Sequence, residues 1–252
     1  MAHATGFCKE VWIPLVEVLK DGYQGSMTAW DSRGHGESDP GELPFDWWDF
    51  ASDVLSVADE FSDGDRVGIG HSMGGAALAM AEILRPGTFT ALVLVEPIVF
   101  PPPFARFDNP MVSGALRRRD AFPSPSAALS NFASKAAFSR GDSEVMDSYV
   151  HGGLVEEAGE WRLRCRPEHA ADVYRGGSAH GAYDRLGEVE IPVLLMAGEH
   201  STTHNEGFVE DLRSRFGNAT SMVIPGTGHF LPMEQPALVA QIAADFIAGA
   251  DS

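Results

Sequence analysis

A glycine-rich turn around a single serine is the feature of the sequence with the clearest chemical meaning. Residues 67–80 read VGIGHSMGGAALAM and place Ser72 between Gly70 and Gly74. This Gly-x-Ser-x-Gly spacing is typical of a sharp turn from a strand into a helix, which exposes the serine hydroxyl as a nucleophile. The start of the helix would direct backbone N–H groups at a developing oxyanion. Acyl transfer through Ser72 is therefore the first hypothesis.

The same glycines allow a second interpretation, in which the turn binds a phosphate. Gly68, Gly70 and Gly74 fit a loose form of the dinucleotide-binding fingerprint, and Glu96 ends the next predicted strand. In such folds the first strand-helix-strand unit usually opens the domain, whereas here a strand and two helical segments precede it. This interpretation also gives Ser72 no role. A dinucleotide-dependent oxidoreductase is therefore the less favoured reading of the turn.

Parallel strands and covering helices are the elements that must position this turn. Short apolar runs alternate with longer amphipathic stretches, which is the pattern of an α/β protein with a mostly parallel sheet and helices on both faces. The short runs predict strands over residues 25–31, 66–70, 90–96, 192–198 and 220–226. The amphipathic stretches predict helices over residues 9–20, 46–61, 74–85 and 236–249, with Asp46 as an N-cap.

The alternation of strands and helices stops between about residue 99 and residue 187. This segment opens with VFPPPFARFDNP, whose prolines exclude a regular helix or a central strand, and continues as short helical pieces. The sequence thus predicts a core domain over 1–98 and 188–252, with an inserted helical cap over 99–187. Apolar residues of the insertion either line a pocket or form the core of the cap: Phe100, Phe104, Phe107, Met111, Phe122 and Phe132.

Charge and cysteine content exclude several classes of function. The 252 residues include 36 acidic and 18 basic side chains, so the formal net charge is −18, which repels nucleic acids and anionic membranes. Cys8 and Cys165 are too few for a disulfide framework and lack metal-site spacing, which favours reduced thiols in the cytoplasm. The sequence contains no apolar run of 18 residues, and its first ten residues do not resemble a secretory signal.

Three further segments, in family order around Ser72, make the sequence resemble the α/β-hydrolase superfamily. WDSRGHGESD (30–39) resembles a segment that follows the fourth strand in many esterases and epoxide hydrolases. HATGFCKEVW (3–12) is similar to the loop that supplies an oxyanion donor, with Ala4 where glycine is usual, and GTGHFLPMEQP (226–236) resembles the loop that carries the catalytic histidine. The resemblance implies the α/β-hydrolase fold and a serine hydrolase that forms an acyl-Ser72 intermediate without a cofactor or a metal.

The resemblance also assigns the base and the oxyanion donors. His229 lies after the last predicted strand and before the final helix, where the family places the histidine that activates the serine. The backbone N–H groups of Met73 and Thr5, with Gly6 as an alternative to Thr5, are expected to bind the oxyanion. His35 of the RGHG segment and His71 of the serine turn are interpreted as structural residues.

The acid of the triad is the point where the sequence departs from the family. The usual aspartate follows the strand before the histidine loop, and Ser201 occupies that position. Two carboxylates remain. Glu96 ends the strand that follows the helix after Ser72, and it is the predicted acid because some superfamily members use that site. Glu199 is the alternative. A site without a working acid is the third possibility.

Two weaker signals have mainly structural interpretations. His200 and His204 could share a metal ion, but they lie in a predicted loop without an evident third ligand. The run RRRD at residues 117–120 could bind a substrate carboxylate, but a solvated helix face is the preferred interpretation.

The N-terminus leads to a further expectation. The family places a central strand before the His3 loop, between the strands that end at Asp31 and near Gly70, but only Met1 and Ala2 precede His3. Unpaired backbone groups inside a sheet cost about 1 to 3 kcal/mol each, so the natural chain is expected to begin upstream with two or three more strands.

The predicted partner is a small or medium apolar carboxylic ester. Lactones, thioesters and carbon–carbon bonds beside a ketone stay open as substrates, because the same triad serves all of them. A ligand receptor or pseudoenzyme on the same fold is the alternative from another class.

Overall fold

The central element of the fold is a four-stranded sheet in which all strands are parallel. The computed structural model describes residues 1–23, 25–61 and 64–250. Its strands are β1 (Val67–His71), β2 (Ala91–Val95), β3 (Ala121–Phe122), β4 (Leu154–Glu157), β5 (Glu160–Leu163), β6 (Val193–Gly198) and β7 (Ala219–Ile224). The main sheet has the order β1-β2-β6-β7, so the chain crosses from β2 to β6 through a long insertion.

Helices cover both faces of this sheet. They are α1 (Ile13–Leu19), α2 (Trp47–Asp59), α3 (Met73–Leu84), α4 (Pro110–Arg117), α5 (Pro125–Ala133), α6 (Ser143–Gly153), α7 (Pro167–Gly176), α8 (Glu206–Arg215), α9 (Leu231–Glu234) and α10 (Pro236–Ala250). Short 3-10 helices occupy Lys9–Trp12, Ala136–Phe138 and Ala182–Glu188. Asp46 caps α2 as predicted, because its side chain accepts a hydrogen bond from the backbone N–H of Trp48.

The alternation of side chains along β2 divides the core into two layers. Leu92 and Leu94 pack into the layer that contains α2 and α3, whereas Val93 and Val95 pack into the layer that contains α1 and α10. Every residue of β2 is buried, as expected for a central parallel strand that is covered on both faces. The carboxyl end of this strand is consequently a rigid platform for the residue that follows it.

The N-terminal segment extends the sheet beside β1. Ala2 forms parallel bridges to Trp30 on one side and to Gly70 on the other. Its backbone N–H donates to the Ile69 carbonyl at 2.9 Å, and its carbonyl accepts from the His71 N–H at 3.0 Å. The predicted strand over residues 25–31 is wrong for most of its length, because Trp30 makes its only strand bridge and a strand requires a continuous partner.

The insertion between β2 and β6 contains helices α4 to α7 and a small antiparallel sheet in the order β3-β5-β4. The expectation of a purely helical insertion is therefore incomplete. Asp172 of α7 fixes the insertion to the core, since its Oδ2 accepts from the backbone N–H of Phe45 at 2.7 Å. Trp47 donates from Nε1 to the Val173 carbonyl at 3.2 Å. The division at residues 98 and 187 stays a prediction.

Within residues 1–23, 25–61 and 64–250, no helix is both long enough and apolar enough to span a membrane.

Candidate active site

The turn from β1 into α3 places Ser72 at the carboxyl edge of the sheet. Ser72 has the backbone angles φ 55° and ψ −114°, a strained conformation for a residue other than glycine. A Cβ atom at Gly70 would lie 2.8 Å from the carbonyl carbon of Gly74, and one at Gly74 would lie 2.3 Å from the Ala2 carbonyl oxygen. Both glycines are therefore required by close backbone contacts, and Gly-x-Ser-x-Gly has a steric origin here.

His229 approaches Ser72 from the loop between β7 and α9. Its Nε2 lies 3.2 Å from the Ser72 hydroxyl oxygen, which is within reach for proton transfer. The loop lies close against the end of β6, because a Cβ atom at Gly198 would lie 2.4 Å from the Gly228 carbonyl oxygen. The carboxylate of Glu234 accepts from the Gly228 N–H at 2.9 Å and fixes the loop from the other side.

Glu96 follows β2 directly and faces the other nitrogen of His229. Its Oε2 lies 2.6 Å from His229 Nδ1, and the residue is completely buried. Glu96 also has a positive φ of 48°, and its backbone N–H donates to the Met196 carbonyl at 2.9 Å. Ser72 and Glu96, which end neighbouring strands, thus both have backbone conformations that are uncommon for residues other than glycine.

The electrostatic surroundings of Glu96 keep its carboxylate ionised. Burial alone would raise the pKa of Glu96, but the neighbouring side chains of His204 and His229 outweigh that effect and hold the pKa far below its ordinary value. The backbone N–H of Gly198 also donates to its Oε1 at 2.9 Å. An ionised carboxylate at this position fixes the proton of neutral His229 on Nδ1 and leaves Nε2 free to accept one.

The loop after β6, residues 199–205, supports Glu96. The Ser201 hydroxyl donates to Glu96 Oε2 at 2.6 Å, and the Thr203 hydroxyl donates to the same oxygen at 3.0 Å. Glu199 points elsewhere, because its side chain is exposed and its Oε2 accepts from the Gly226 N–H at 2.8 Å. Of the two carboxylates predicted for the triad, the structure brings only Glu96 to His229.

A metal site on His200 and His204 does not form. The side chain of His200 is 47% exposed beside Glu199, whereas that of His204 is 2% exposed beside Glu96. Ligand-type atoms of Glu96, His204 and His229 lie within 4.8 Å of one another. The 2.6 Å between Glu96 and His229 is a hydrogen-bond distance, shorter than the roughly 3.3 Å between two ligands of a tetrahedral zinc ion.

The N-terminal loop lies against the start of α3, beside the predicted oxyanion donor Met73. The position of a Cβ at Gly74 is 2.7 Å from the His3 carbonyl oxygen, so His3 is adjacent to the serine turn. Thr5 is buried, and the Tyr149 hydroxyl donates to the Gly6 carbonyl at 3.0 Å. The assignment of the Met73 and Thr5 N–H groups to the oxyanion stays a prediction.

His71 and His35 make hydrogen bonds to backbone carbonyls. His71 Nε2 donates to the His229 carbonyl at 2.8 Å, so it positions the loop of the base, and His35 Nδ1 donates to the Arg33 carbonyl at 3.0 Å. Burial, with the neighbouring His229 charge as the next cause, lowers the pKa of His71 to about 3. Burial lowers the pKa of His35 to about 4, so both rings are neutral at pH 7.

Aromatic rings from three parts of the chain form a cluster next to His229. The ring centroid of Phe230 is 5.5 Å from that of His229, and Phe138 of the insertion stacks on Phe230 at 5.4 Å. Phe7 lies 5.6 Å from Phe230. The sequence did not predict this cluster, because its members are remote from one another in the chain. The available signal was that Phe230 directly follows His229.

The aromatic residues that were predicted for the insertion have different surroundings. Phe122 and Phe132 are buried in the core, whereas Phe107 and Met111 are exposed. Phe104 packs against the core layer of α2 and α3, and Phe100 stacks on Phe208 at 5.8 Å. These residues therefore do not all line one pocket, and they do not all form one core of the insertion.

The basic run at residues 117–120 is also divided between two surroundings. Arg117 and Arg119 are exposed, but the Arg118 guanidinium turns inward and donates to the Cys165 carbonyl. Its Nη1 lies 3.1 Å from the position of a Cβ at Gly6. The expectation of a solvated helix face is therefore wrong for Arg118.

A match to a known sequence family decides the identity of the fold. The sequence pattern of the alpha/beta hydrolase family matches residues 1–242. The chain belongs to the alpha/beta hydrolase family. The family match confirms the predicted superfamily and fold class, and it favours the serine-turn interpretation of the glycines around Ser72 over the dinucleotide site.

Relatives of this alpha/beta hydrolase include both enzymes and a receptor. The peroxisomal alpha-beta-hydrolase Lpx1 of Saccharomyces cerevisiae has a similar structure, with a TM-score of 0.85 and 22% identity over 98% of this chain and 75% of that one. The Karrikin insensitive 2 receptor CA of Petunia hybrida is 25% identical over 96% of this chain and 88% of its own. The abhydrolase domain-containing protein AKT2 of Alternaria alternata is 25% identical over 72% of this chain and 82% of its own.

Proposed function

We propose that this alpha/beta hydrolase cleaves a small or medium apolar carboxylic ester through an acyl-Ser72 intermediate. The observation that carries the proposal is the continuous chain of contacts from Ser72 Oγ to His229 Nε2 at 3.2 Å and from His229 Nδ1 to Glu96 Oε2 at 2.6 Å. Nucleophile, base and acid are thus in hydrogen-bond reach of one another, in the order that acyl transfer needs.

The first half of the reaction transfers the acyl group to the enzyme. His229 Nε2 takes the proton of Ser72 as Oγ attacks the carbonyl carbon, and ionised Glu96 stabilises the imidazolium that forms. The backbone N–H groups of Met73 and Thr5 donate hydrogen bonds to the oxyanion of the tetrahedral intermediate. When the intermediate collapses, the carbon–oxygen bond to the leaving group breaks, and His229 returns its proton to the departing alcohol.

Water releases the acyl group in the second half. His229 removes a proton from the water as the water oxygen attacks the acyl carbon, and the second tetrahedral intermediate forms. When it collapses, the bond between the acyl carbon and Ser72 Oγ breaks, His229 returns the proton to Oγ, and the free acid leaves. The aromatic rings of Phe7, Phe138 and Phe230 support an apolar substrate, because they form an apolar cluster next to His229. Lactones and thioesters are alternative substrates for the same catalytic residues.

The cysteine content supports a cytoplasmic location.

A receptor that retains its ligand is a second candidate function. The observation in its favour is the similarity to the Petunia receptor over 96% of this chain. The two candidates differ in turnover, since an enzyme releases product many times per site, whereas a receptor holds its ligand or releases it very slowly.

The proposal is tested by labelling with a serine-directed fluorophosphonate. We expect one adduct per chain, mapped to Ser72 by mass spectrometry, and no adduct in Ser72→Ala. Hydrolysis of p-nitrophenyl butyrate by the same preparation then separates the candidates. Repeated turnover supports the enzyme, a single burst without turnover supports the receptor, and the absence of an adduct in the folded wild-type chain contradicts both versions of the site.

A further inference from the structure

A second histidine contacts the carboxylate of the proposed triad. His204 Nδ1 lies 3.3 Å from Glu96 Oε2, and His204 Nε2 lies 3.0 Å from the carbonyl oxygen of Pro97. The Nδ1 contact is close but not well directed for a hydrogen bond, and Nδ1 has no hydrogen-bond partner in the described part of the chain. Glu96 is therefore flanked by two imidazoles, His229 and His204.

The protonation state of His204 follows from these neighbours. A carbonyl oxygen can only accept, so Nε2 must carry a proton. A neutral ring would then direct the lone pair of Nδ1 at an ionised carboxylate oxygen 3.3 Å away, in a place where the His204 side chain is 2% exposed. This arrangement is repulsive at low dielectric, whereas a proton on Nδ1 converts it into an ion pair.

Three titratable groups face His204 from the surrounding elements. Glu96 follows β2, His71 ends β1, and His229 is stacked with its ring centroid 6.4 Å from that of His204. On the other sides the ring meets apolar groups, with the Phe208 centroid at 5.1 Å and the Phe100 centroid at 6.4 Å. Among these groups Glu96 is the only anion, so it is the group with which a protonated His204 would form an ion pair.

We propose that His204 is a positioning residue whose imidazolium form pairs with the Glu96 carboxylate and holds it beside His229. The proposal rests on the proposed function, because it assigns His204 a task in the same site. His204 does not touch the reacting atoms. It acts through Glu96, and its positive charge opposes a second positive charge on His229 before substrate binds.

The first test is the protonation state of His204 in the resting protein. Long-range ¹H–¹⁵N spectra of the wild-type chain at pH 7.5 distinguish an imidazolium from either neutral tautomer. We expect both nitrogens of His204 to carry protons at this pH, because Nε2 faces a carbonyl oxygen and Nδ1 faces a carboxylate oxygen. A neutral His204 with an unprotonated Nδ1 overturns the proposal. The measurement needs no substrate and no variant.

The second test is the pH dependence of fluorophosphonate labelling at Ser72. In His204→Gln the amide can still donate to the Pro97 carbonyl, but the charge is lost. The acid limb of the labelling rate should then move to higher pH by about one unit, the order expected for two unit charges whose rings are 6.4 Å apart. Below that limb the variant should react about tenfold more slowly than the wild-type chain.

The direction of the shift separates charge from structure. If His204 only packs against Glu96, its loss loosens the carboxylate, and the limb moves to lower pH or the rate falls equally at every pH. Either result overturns the proposal. The matched control is His200→Gln, in the same loop but exposed and without contact to Glu96, and it should leave the profile unchanged. Wild-type chain that does not label at all contradicts the proposed function, whereas labelling with a neutral His204 contradicts only this inference.

Discussion

The loops after β2 and after β6 both begin at the carboxyl edge of the sheet, and both could supply a triad acid. The loop after β2 contributes Glu96, whose carboxylate is buried and contacts His229. The loop after β6 contributes Ser201, Thr203 and His204, which direct two hydroxyl groups and an imidazole at that carboxylate. One loop thus supplies the charge, and the other supplies the polar groups that surround it.

The strongest way to break this comparison is to neutralise each candidate acid. We expect Glu96→Gln to reduce turnover by about 10³ to 10⁴-fold, because an amide fixes the wrong tautomer of His229. Glu199→Gln should change turnover by less than about twofold, since Glu199 binds the Gly226 N–H and not His229. Ester hydrolysis measures both variants, and the reverse pattern would contradict the assignment of the acid.

A double substitution sharpens the comparison by moving the acid from one loop to the other. Ser201 Oγ lies 2.6 Å from Glu96 Oε2, so an aspartate at position 201 can reach the same space beside His229. We expect Glu96→Ser combined with Ser201→Asp to be at least about tenfold more active than Glu96→Ser alone. Equal activity of the double and single variants would show that the loop after β6 cannot present an acid to His229.

The smallest effect concerns the hydroxyl groups that solvate Glu96. Ser201→Ala removes a hydrogen bond to a buried charge, worth about 1.5 kcal/mol, and should lower kcat/KM about tenfold. Thr202→Ala is the matched control, because Thr202 lies in the same loop but is exposed. Equal effects of the two substitutions would mean that Ser201 stabilises the loop and that its hydrogen bond to Glu96 does not contribute to catalysis.

Local spacing explains which parts of the fold were predictable from the sequence. The turn at Ser72 follows from the steric demands of glycines two residues away, and β2 follows from its uninterrupted apolar run. The strand over residues 25–31 was predicted in error, since a suitable composition does not supply a partner for every backbone group. The short strands of the insertion were missed because a pairing such as Phe122 with Trp161 joins distant segments.

The candidate site shows the same limit. Position 201 was recognised as lacking the usual acid, but the reach of Ser201 to Glu96 spans 105 residues and leaves no periodic pattern. The concentration of hydroxyl and imidazole groups in HSTTH, where a carboxylate was expected, was the available signal. His204 was considered only as a metal ligand, because the carboxylate that it faces comes from another strand.

The separation of the triad along the chain has a consequence for biosynthesis. Ser72 and Glu96 belong to one strand-helix-strand unit, whereas His229 lies 157 residues after the serine. A growing chain therefore carries the proposed nucleophile long before the proposed base, and the proposed mechanism leaves the hydroxyl as unreactive as that of an ordinary serine until β7 has joined the sheet. Under the proposed function, reactivity appears only with completion of the fold, so unfinished chains would not attack the esters around them.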